Sequence, residues 1–202
     1  MTDFESSLER MLQFASCDAS LAVEDILKRY RNHQSLAVSE YDELSRMPSV
    51  GPDAAMLIRL AYCLASRSKT DKFKLGAVHT EEEILDYFRA IFYCLPIETV
   101  YALLLDDRGR VTFSDIISEG TVNASAVLPR RVLELAVKCG ASSVIIAHNH
   151  PLGYATPSLE DIETTHILKR MLNSTGRDLL AHYIIASDGV YFKIDPNTEN
   201  RS

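Results

Sequence analysis

The sequence predicts a mixed α/β domain, a sheet with helices packed on it, behind a small all-α N-terminal module. Apolar positions recur at helical spacing through residues 1–67, and no strand pattern interrupts them. From residue 81 onward, short apolar runs alternate with helical stretches. One of those runs, Val144-Ile145-Ile146-Ala147, reads as a buried strand and leads directly into His148-Asn149-His150.

In chain order, Leu8, Met11, Leu12 and Ala15 mark a first amphipathic helix, and Leu21, Ile26, Leu27 and Tyr30 a second. Leu44 to Ala55 reads as a helix end, a tight turn and a second helix. Gly51 supplies the positive φ of the turn and Pro52 suits the first turn of the helix that follows. Residues 68–79 are polar, basic and aperiodic, which divides the chain into a helical module (1–70), a linker (71–80) and a sheet domain (81–202). Thr80 with Glu83 forms a capping box that starts a helix reaching about Phe92. Thr99–Leu105 and Val111–Ile117 are expected to pair as a hairpin around Asp106-Asp-Arg-Gly109. Pro129 is expected to start a helix that Gly140 ends. Ser143–Ala147 is the strand before the histidines. Thr156-Pro157-Ser158 opens a helix to about Leu172, and Leu179–Ala186 with Val190–Ile194 forms a last hairpin.

Composition narrows the function classes. The chain has 202 residues, 47% hydrophobic and 24% charged, as expected of a soluble globular protein. No apolar run approaches the roughly 20 residues that span a bilayer, and the acidic N-terminus lacks the pattern of a signal peptide. No membrane association is therefore expected, and the cytoplasm is the expected location. The four cysteines, Cys17, Cys63, Cys94 and Cys139, form no CxxC pair, so a zinc knuckle is not expected. The net charge of −7 lies mostly in the second part: residues 1–80 carry 10 basic and 11 acidic side chains, residues 81–202 carry 11 and 17. Neither part has the basic excess of a strong nucleic-acid binder, although Arg46, Arg59 and Arg67 could form a local patch.

The chemistry concentrates at the end of the central strand. Side chains alternate along a strand, so His148 and His150 leave the sheet on one face. Asp161 follows across a loop rich in proline and glycine, with Ser158 three residues before it. Two imidazoles and a carboxylate make a metal site with three protein ligands, and the open fourth position is the arrangement of catalytic rather than structural zinc. Taken singly, Asp161 reads as a first-turn acid and Ser158 as a plain N-cap; their order and spacing favour the metal site. The zinc deaminase signature, H-E-x-x-H and the G-x-S-x-G elbow are all missing. The contiguous His-Asn-His shares only its spelling with the nucleases named for those letters.

His148-x-His150-x7-Ser158-x2-Asp161 resembles the JAMM motif of MPN-domain metalloproteases. The wider string, Gly120-Thr-Val-Asn123, then Ala147-His-Asn-His-Pro151 through Asp161, then Ala181-His-Tyr-Ile-Ile185, resembles the bacterial RadC family over nearly the whole chain. The resemblance implies a cytidine deaminase-like JAMM/MPN fold, Zn²⁺ as cofactor, and cleavage of a peptide or isopeptide bond in a protein or peptide substrate. It also implies a glutamate at the start of an upstream strand. The residues alone leave Asp106 and Glu119 open beside Glu98; the resemblance singles out Glu98 as general base, with Ser158 as hydrogen-bond donor to the oxyanion. Two departures bear on substrate preference: Leu128-Pro-Arg-Arg131 stands where the family often has His-Pro-Arg-Glu, and Leu152 where it has a small residue.

Residues 44–67 are similar to the helix-hairpin-helix that precedes the JAMM domain in that family. Such a module would bind DNA without sequence preference, through the backbone of Val50 and Gly51 at a helix N-terminus. Ser49 replaces the first glycine of the turn and Pro52 removes one donor. Two alternatives to the hydrolase therefore stand: a DNA-associated repair or recombination protein whose metal domain has a binding or nuclease role, and a zinc-binding scaffold without turnover. Glu98 beside the three ligands argues against the scaffold, since a structural metal needs no base.

Overall fold

The computed structural model describes residues 3–197 apart from residues 16, 31, 32, 71, 72, 74, 121–123 and 152. The Thr121-Val-Asn123 part of the family-like string and Leu152 thus lie outside the described residues.

Five helices come first: α1 (Asp3–Leu12), α2 (Ala19–Arg29), α3 (His33–Ala37), α4 (Tyr41–Ser45) and α5 (Gly51–Thr70). They form where the apolar spacing predicts helix, and their inward faces close one cluster of Leu8, Leu12, Ile26, Leu36, Leu44 and Ile58. Asp18 caps α2 by accepting the Leu21 N–H at 3.1 Å. Between α4 and α5 the Met47 carbonyl accepts the N–H groups of both Val50 and Gly51, each at 3.0 Å. Gly51 sits at φ +70°, a conformation that strains any residue with a Cβ. The helix α5 docks on the next element: Ser66 Oγ donates to the Ala90 carbonyl at 2.6 Å, and the Arg59 guanidinium donates to the carbonyls of Ala37 (2.6 Å) and Cys94 (2.8 Å).

The segment expected as a linker is held at several points. Phe73 stacks between His79 and Tyr87 with ring centroids 3.9 Å apart in each pair. Gly76 N–H donates to the Val111 carbonyl at 2.7 Å and Val111 N–H to that of Ala77 at 3.1 Å. Thr80 and Glu83 form the expected capping box at the head of α6 (Glu81–Phe92).

A five-stranded sheet follows, built from β1 (Thr99–Leu105), β2 (Val111–Glu119), β3 (Ser143–His150), β4 (Asp178–Ala186) and β5 (Tyr191–Ile194) in the order β2-β1-β3-β4-β5. Among the described strands only β3 and β4 run parallel, and the connection between them carries α8 (Leu159–Asn173). Alternation divides the side chains into two cores. Leu103, Leu105, Ile145, Ala147, Ala181 and Tyr183 pack on one face with Leu85 and Phe88 of α6. Ala102, Leu104, Val144 and Ile146 pack on the other with α8 and with α7 (Ala124–Lys138). The sheet is thus sandwiched between helices, a mixed α/β architecture consistent with the JAMM/MPN-like fold that the resemblance implies.

One expectation needs correction. Proline 129 does not start a helix; α7 begins at Ala124 and Pro129 lies inside it. A proline in a second turn forfeits one i→i−4 bond, and the preceding Ala-Ser-Ala-Val-Leu contains good helix formers that offset this. The other end is as expected: Gly140 sits at φ +63°, and Ala141 N–H reaches back to the Ala136 carbonyl at 2.9 Å in a Schellman closure.

Candidate metal centre

The apolar run of β3 is buried on both faces, and pleating then sends His148 and His150 toward α8 while Asn149 points to the α6 side. Antiparallel pairing sets Val100 of β1 opposite His148, which brings Glu98, two residues upstream, to the same end of the sheet. One ligand atom from each of Glu98, His148 and His150 lies within 4.8 Å of the other two. Asp161 arrives from the first turn of α8, with its Oδ1 3.3 Å from His148 Nε2. His148 Nε2 is also 3.0 Å from His150 Nε2 and 3.9 Å from Glu98 Oε1.

Each group is fixed by neighbours. The His150 Nδ1 lies 2.7 Å from the Tyr154 carbonyl, an acceptor only, so Nδ1 carries the ring proton and Nε2 presents a lone pair to the site. Asp161 Oδ2 accepts the Ser158 N–H at 2.8 Å and the Ser158 hydroxyl at 2.7 Å, while Ser158 Oγ accepts the Asp161 N–H at 3.1 Å. This reciprocal capping box leaves Oδ1 to face the imidazoles. It also commits the Ser158 proton to Asp161, so the serine meets the site through the carboxylate in this conformation.

Three residues that the sequence did not single out complete the centre. Asn149 Oδ1 accepts the buried Thr99 N–H at 2.8 Å, and its amide donates to the Leu95 and Ile97 carbonyls at 3.3 and 3.1 Å. The asparagine thereby holds the strand entry that carries Glu98, whose carbonyl in turn accepts the Gly120 N–H at 2.7 Å. On the other side, His148 Nδ1 is 2.8 Å from Nε2 of buried His182, and His182 Nδ1 is 2.6 Å from Thr165 Oγ1. The signal for Asn149 was its place between the histidines; a lone histidine in the apolar run of β4 reads as core.

Burial governs the electrostatics. It pushes the His148 pKa down to about 4, with His150 adding to the shift and the Asp161 carboxylate opposing it. Burial also holds His182 well below the usual imidazole value. Glu98 is shifted upward, first by burial and further by Asp161 and Glu160, against the pull of His150. Neutral imidazoles beside carboxylates are the nitrogen and oxygen donors that a divalent cation such as zinc takes. Electron-rich atoms 3.0–3.9 Å apart at one point are stabilised by a positive charge among them. The residues present therefore fit a metal ion.

The residues expected to touch DNA lie elsewhere, at the α4–α5 turn. The Val50 side chain is buried, and both turn N–H groups are engaged by Met47. Among the described residues no helix is long and apolar enough to cross a membrane.

Comparison with known proteins agrees with the geometry. The family model of the RadC-like JAB domain matches residues 78–197, more than half of the chain and all five strands. A UPF0758 protein of Finegoldia magna is 36% identical over 162 residues, covering 75% of this chain and 71% of that protein. Another, from Geotalea uraniireducens, is 34% identical over 168 residues, covering 83% and 73%. A third, from Paraburkholderia phytofirmans, is 28% identical over 175 residues, covering 86% and 68%. With its histidine-bearing strand and the Asp161 helix inside the matched region, the chain belongs to the RadC family.

Proposed function

We propose that this protein is a zinc-dependent hydrolase of the JAMM type that cleaves a peptide or isopeptide bond. The observation that carries the reading is the grouping of Glu98, His148 and His150 within 4.8 Å at one end of the sheet, with Asp161 Oδ1 3.3 Å from His148 Nε2. His148, His150 and Asp161 would hold the metal. A bound zinc ion supplies a Lewis acid that brings the pKa of water toward neutrality.

The protein's own groups do the rest. Glu98 is half-buried and burial raises its pKa above the ordinary carboxylate value, which makes it a stronger proton acceptor. In this reading Glu98 Oε1 accepts a proton from the attacking water and delivers it to the leaving amine nitrogen. Asp161 keeps its alignment through the two hydrogen bonds from Ser158. Ser158 serves as oxyanion donor only by turning its hydroxyl away from Asp161. Exposed Ile97, Tyr154 and Leu159 stand in sequence next to or near Glu98, His150 and Ser158, and offer apolar surface to a substrate's side chains.

The test is metal content followed by turnover. Purified protein is expected to hold close to one zinc per chain by elemental analysis, and His148→Ala and Asp161→Ala to lose it. The zinc-loaded protein is then offered peptide and isopeptide-linked substrate libraries. Cleavage of neither by a fully loaded protein would sink the hydrolase reading.

A further inference from the structure

His182 lies outside the expected site, yet it is as deeply buried as His148. It is 2% exposed on β4, and both of its ring nitrogens have partners. The four-group series runs from His148 Nδ1 to His182 Nε2 (2.8 Å), from His182 Nδ1 to Thr165 Oγ1 (2.6 Å), and from Thr165 Oγ1 to the Asp161 carbonyl (2.6 Å).

The far end sets the direction of every proton. A backbone carbonyl only accepts, so the hydrogen between Thr165 and Asp161 is the threonine's own. With its one proton spent there, Thr165 Oγ1 can only accept from His182, which places a proton on His182 Nδ1. A neutral imidazole carries one N–H, so His182 Nε2 is then a lone pair and must accept from His148 Nδ1–H. His148 is left with a bare Nε2, the atom that faces His150, Asp161 and Glu98. Burial of both rings favours the neutral forms on which this logic depends.

We propose that His182, anchored by Thr165, is a positioning residue that locks His148 in the Nδ1–H tautomer and so keeps its Nε2 available to a metal ion. The inference rests on the reading of His148 as a ligand. Thr165 and Asp161 share one helix, so the same series ties the orientation of the β3 imidazole to the helix that supplies the carboxylate. A partner on the second nitrogen of a ligating histidine is a recurrent device, and its removal typically weakens metal binding about 10- to 100-fold. Here the partner is a second histidine that cannot reverse its polarity while Thr165 donates to the backbone.

Imidazole ¹⁵N NMR of the metal-free protein reads the tautomers directly. His148 and His182 are both expected as Nδ1–H; an Nε2–H signal assigned to His148 overturns the proposal. Zinc affinity, measured by competition with a chelating dye, is the second readout. His182→Leu is expected to bind zinc about 10- to 100-fold more weakly, whereas His182→Gln, whose amide can accept from His148 and donate to Thr165, restores most of the loss. Should His182→Leu not fold, Thr165→Val, nearly isosteric, removes the polar end of the series and is expected to weaken zinc binding while Thr165→Ser does not. Wild-type zinc affinity in folded His182→Leu or in Thr165→Val would refute the inference. A wild-type protein that binds no zinc refutes the metal reading instead, and the NMR spectrum still decides the tautomer.

Discussion

At the scale of single residues, the site sets three titratable groups against their ordinary behaviour. Glu98 is pushed toward its protonated form by burial, and its Oε1 is too far from His148 Nε2, at 3.9 Å, to be engaged by it in a hydrogen bond. The proposed function gives Glu98 the role of base, with His148, His150 and Asp161 as the ligands. Glu98→Gln is therefore expected to retain zinc by elemental analysis and to lose hydrolysis by about 10²- to 10⁴-fold; loss of zinc in this variant would make Glu98 a ligand instead. The imidazoles shift the other way. His148 titrates near 4 when folded, against an ordinary 6.5, and His182 also lies low, both because burial disfavours the charged ring. A depressed folded pKa means that the unfolded chain binds protons first as pH falls. Through His148 the metal-free protein should thus keep its stability above pH 6.5 and lose it between 6.5 and about 4, at about 1 kcal/mol per pH unit, and His182 adds to the loss as pH falls below 6.5. Urea melts at pH 7, 6 and 5 measure this, and His182→Gln should flatten the slope. A midpoint constant over that range would mean that the rings are not buried neutral.

At the scale of elements, the centre depends on how two ends are pinned. The N-terminus of α8 is pinned by Ser158, which caps the helix and holds Asp161 with the same hydroxyl. Ser158→Ala should cost about 1 kcal/mol of stability by thermal or urea denaturation, and should also weaken zinc binding, since Asp161 Oδ2 loses a hydrogen bond and the carboxylate can swing. Ser158→Thr should restore both. A loss of stability with unchanged zinc affinity would separate the cap from the site. The entry of β1 is pinned by Asn149, whose carbonyl oxygen is the partner of a fully buried backbone N–H at Thr99. Asn149→Ala leaves that donor unpaired, at a cost of about 1–3 kcal/mol. It should lower turnover through Glu98 while zinc content stays unchanged, so metal analysis beside activity identifies it. Asn149 thus explains why a polar residue sits between the two histidines on the opposite face of the strand.

At the scale of the whole molecule, sequence patterns reveal what is local. Strand alternation at Val144–His150 placed both imidazoles on one face, and capping chemistry located the starts of α6 and α8 at Thr80 and Ser158. Glu98 lies some fifty residues before the histidines, and only the β1–β3 pairing brings it near them. No periodicity encodes that, so its selection needed the family resemblance. His182 stood in the family-like Ala181–Ile185 string but gained no role there, because its run in β4 reads as core, and Pro129 misled because helix formers precede it. Nor did the charge count show what Arg59 does. Counted in sequence as part of a possible basic patch, it instead spans from α5 to the carbonyls of Ala37 and Cys94, two residues that are themselves almost fully buried. Cys94 lies between α6 and the Leu95–Glu98 approach to β1, so this one guanidinium joins the helical segment to the chain that enters the metal centre. Arg59→Met keeps the aliphatic bulk and removes both donors, leaving two buried carbonyls unmatched. The expected loss is about 2–3 kcal/mol, the range for a hydrogen bond from a charged donor and the groups it leaves behind. Hydrogen exchange should rise at the amides of residues 37–38 and 94–99 before it rises in β3. An Arg59→Met protein with unchanged exchange there, and a stability within about 0.5 kcal/mol of wild type, the usual range for a surface change, would show that the helical segment is held without Arg59, by the Ser66 hydrogen bond to Ala90 and apolar contact.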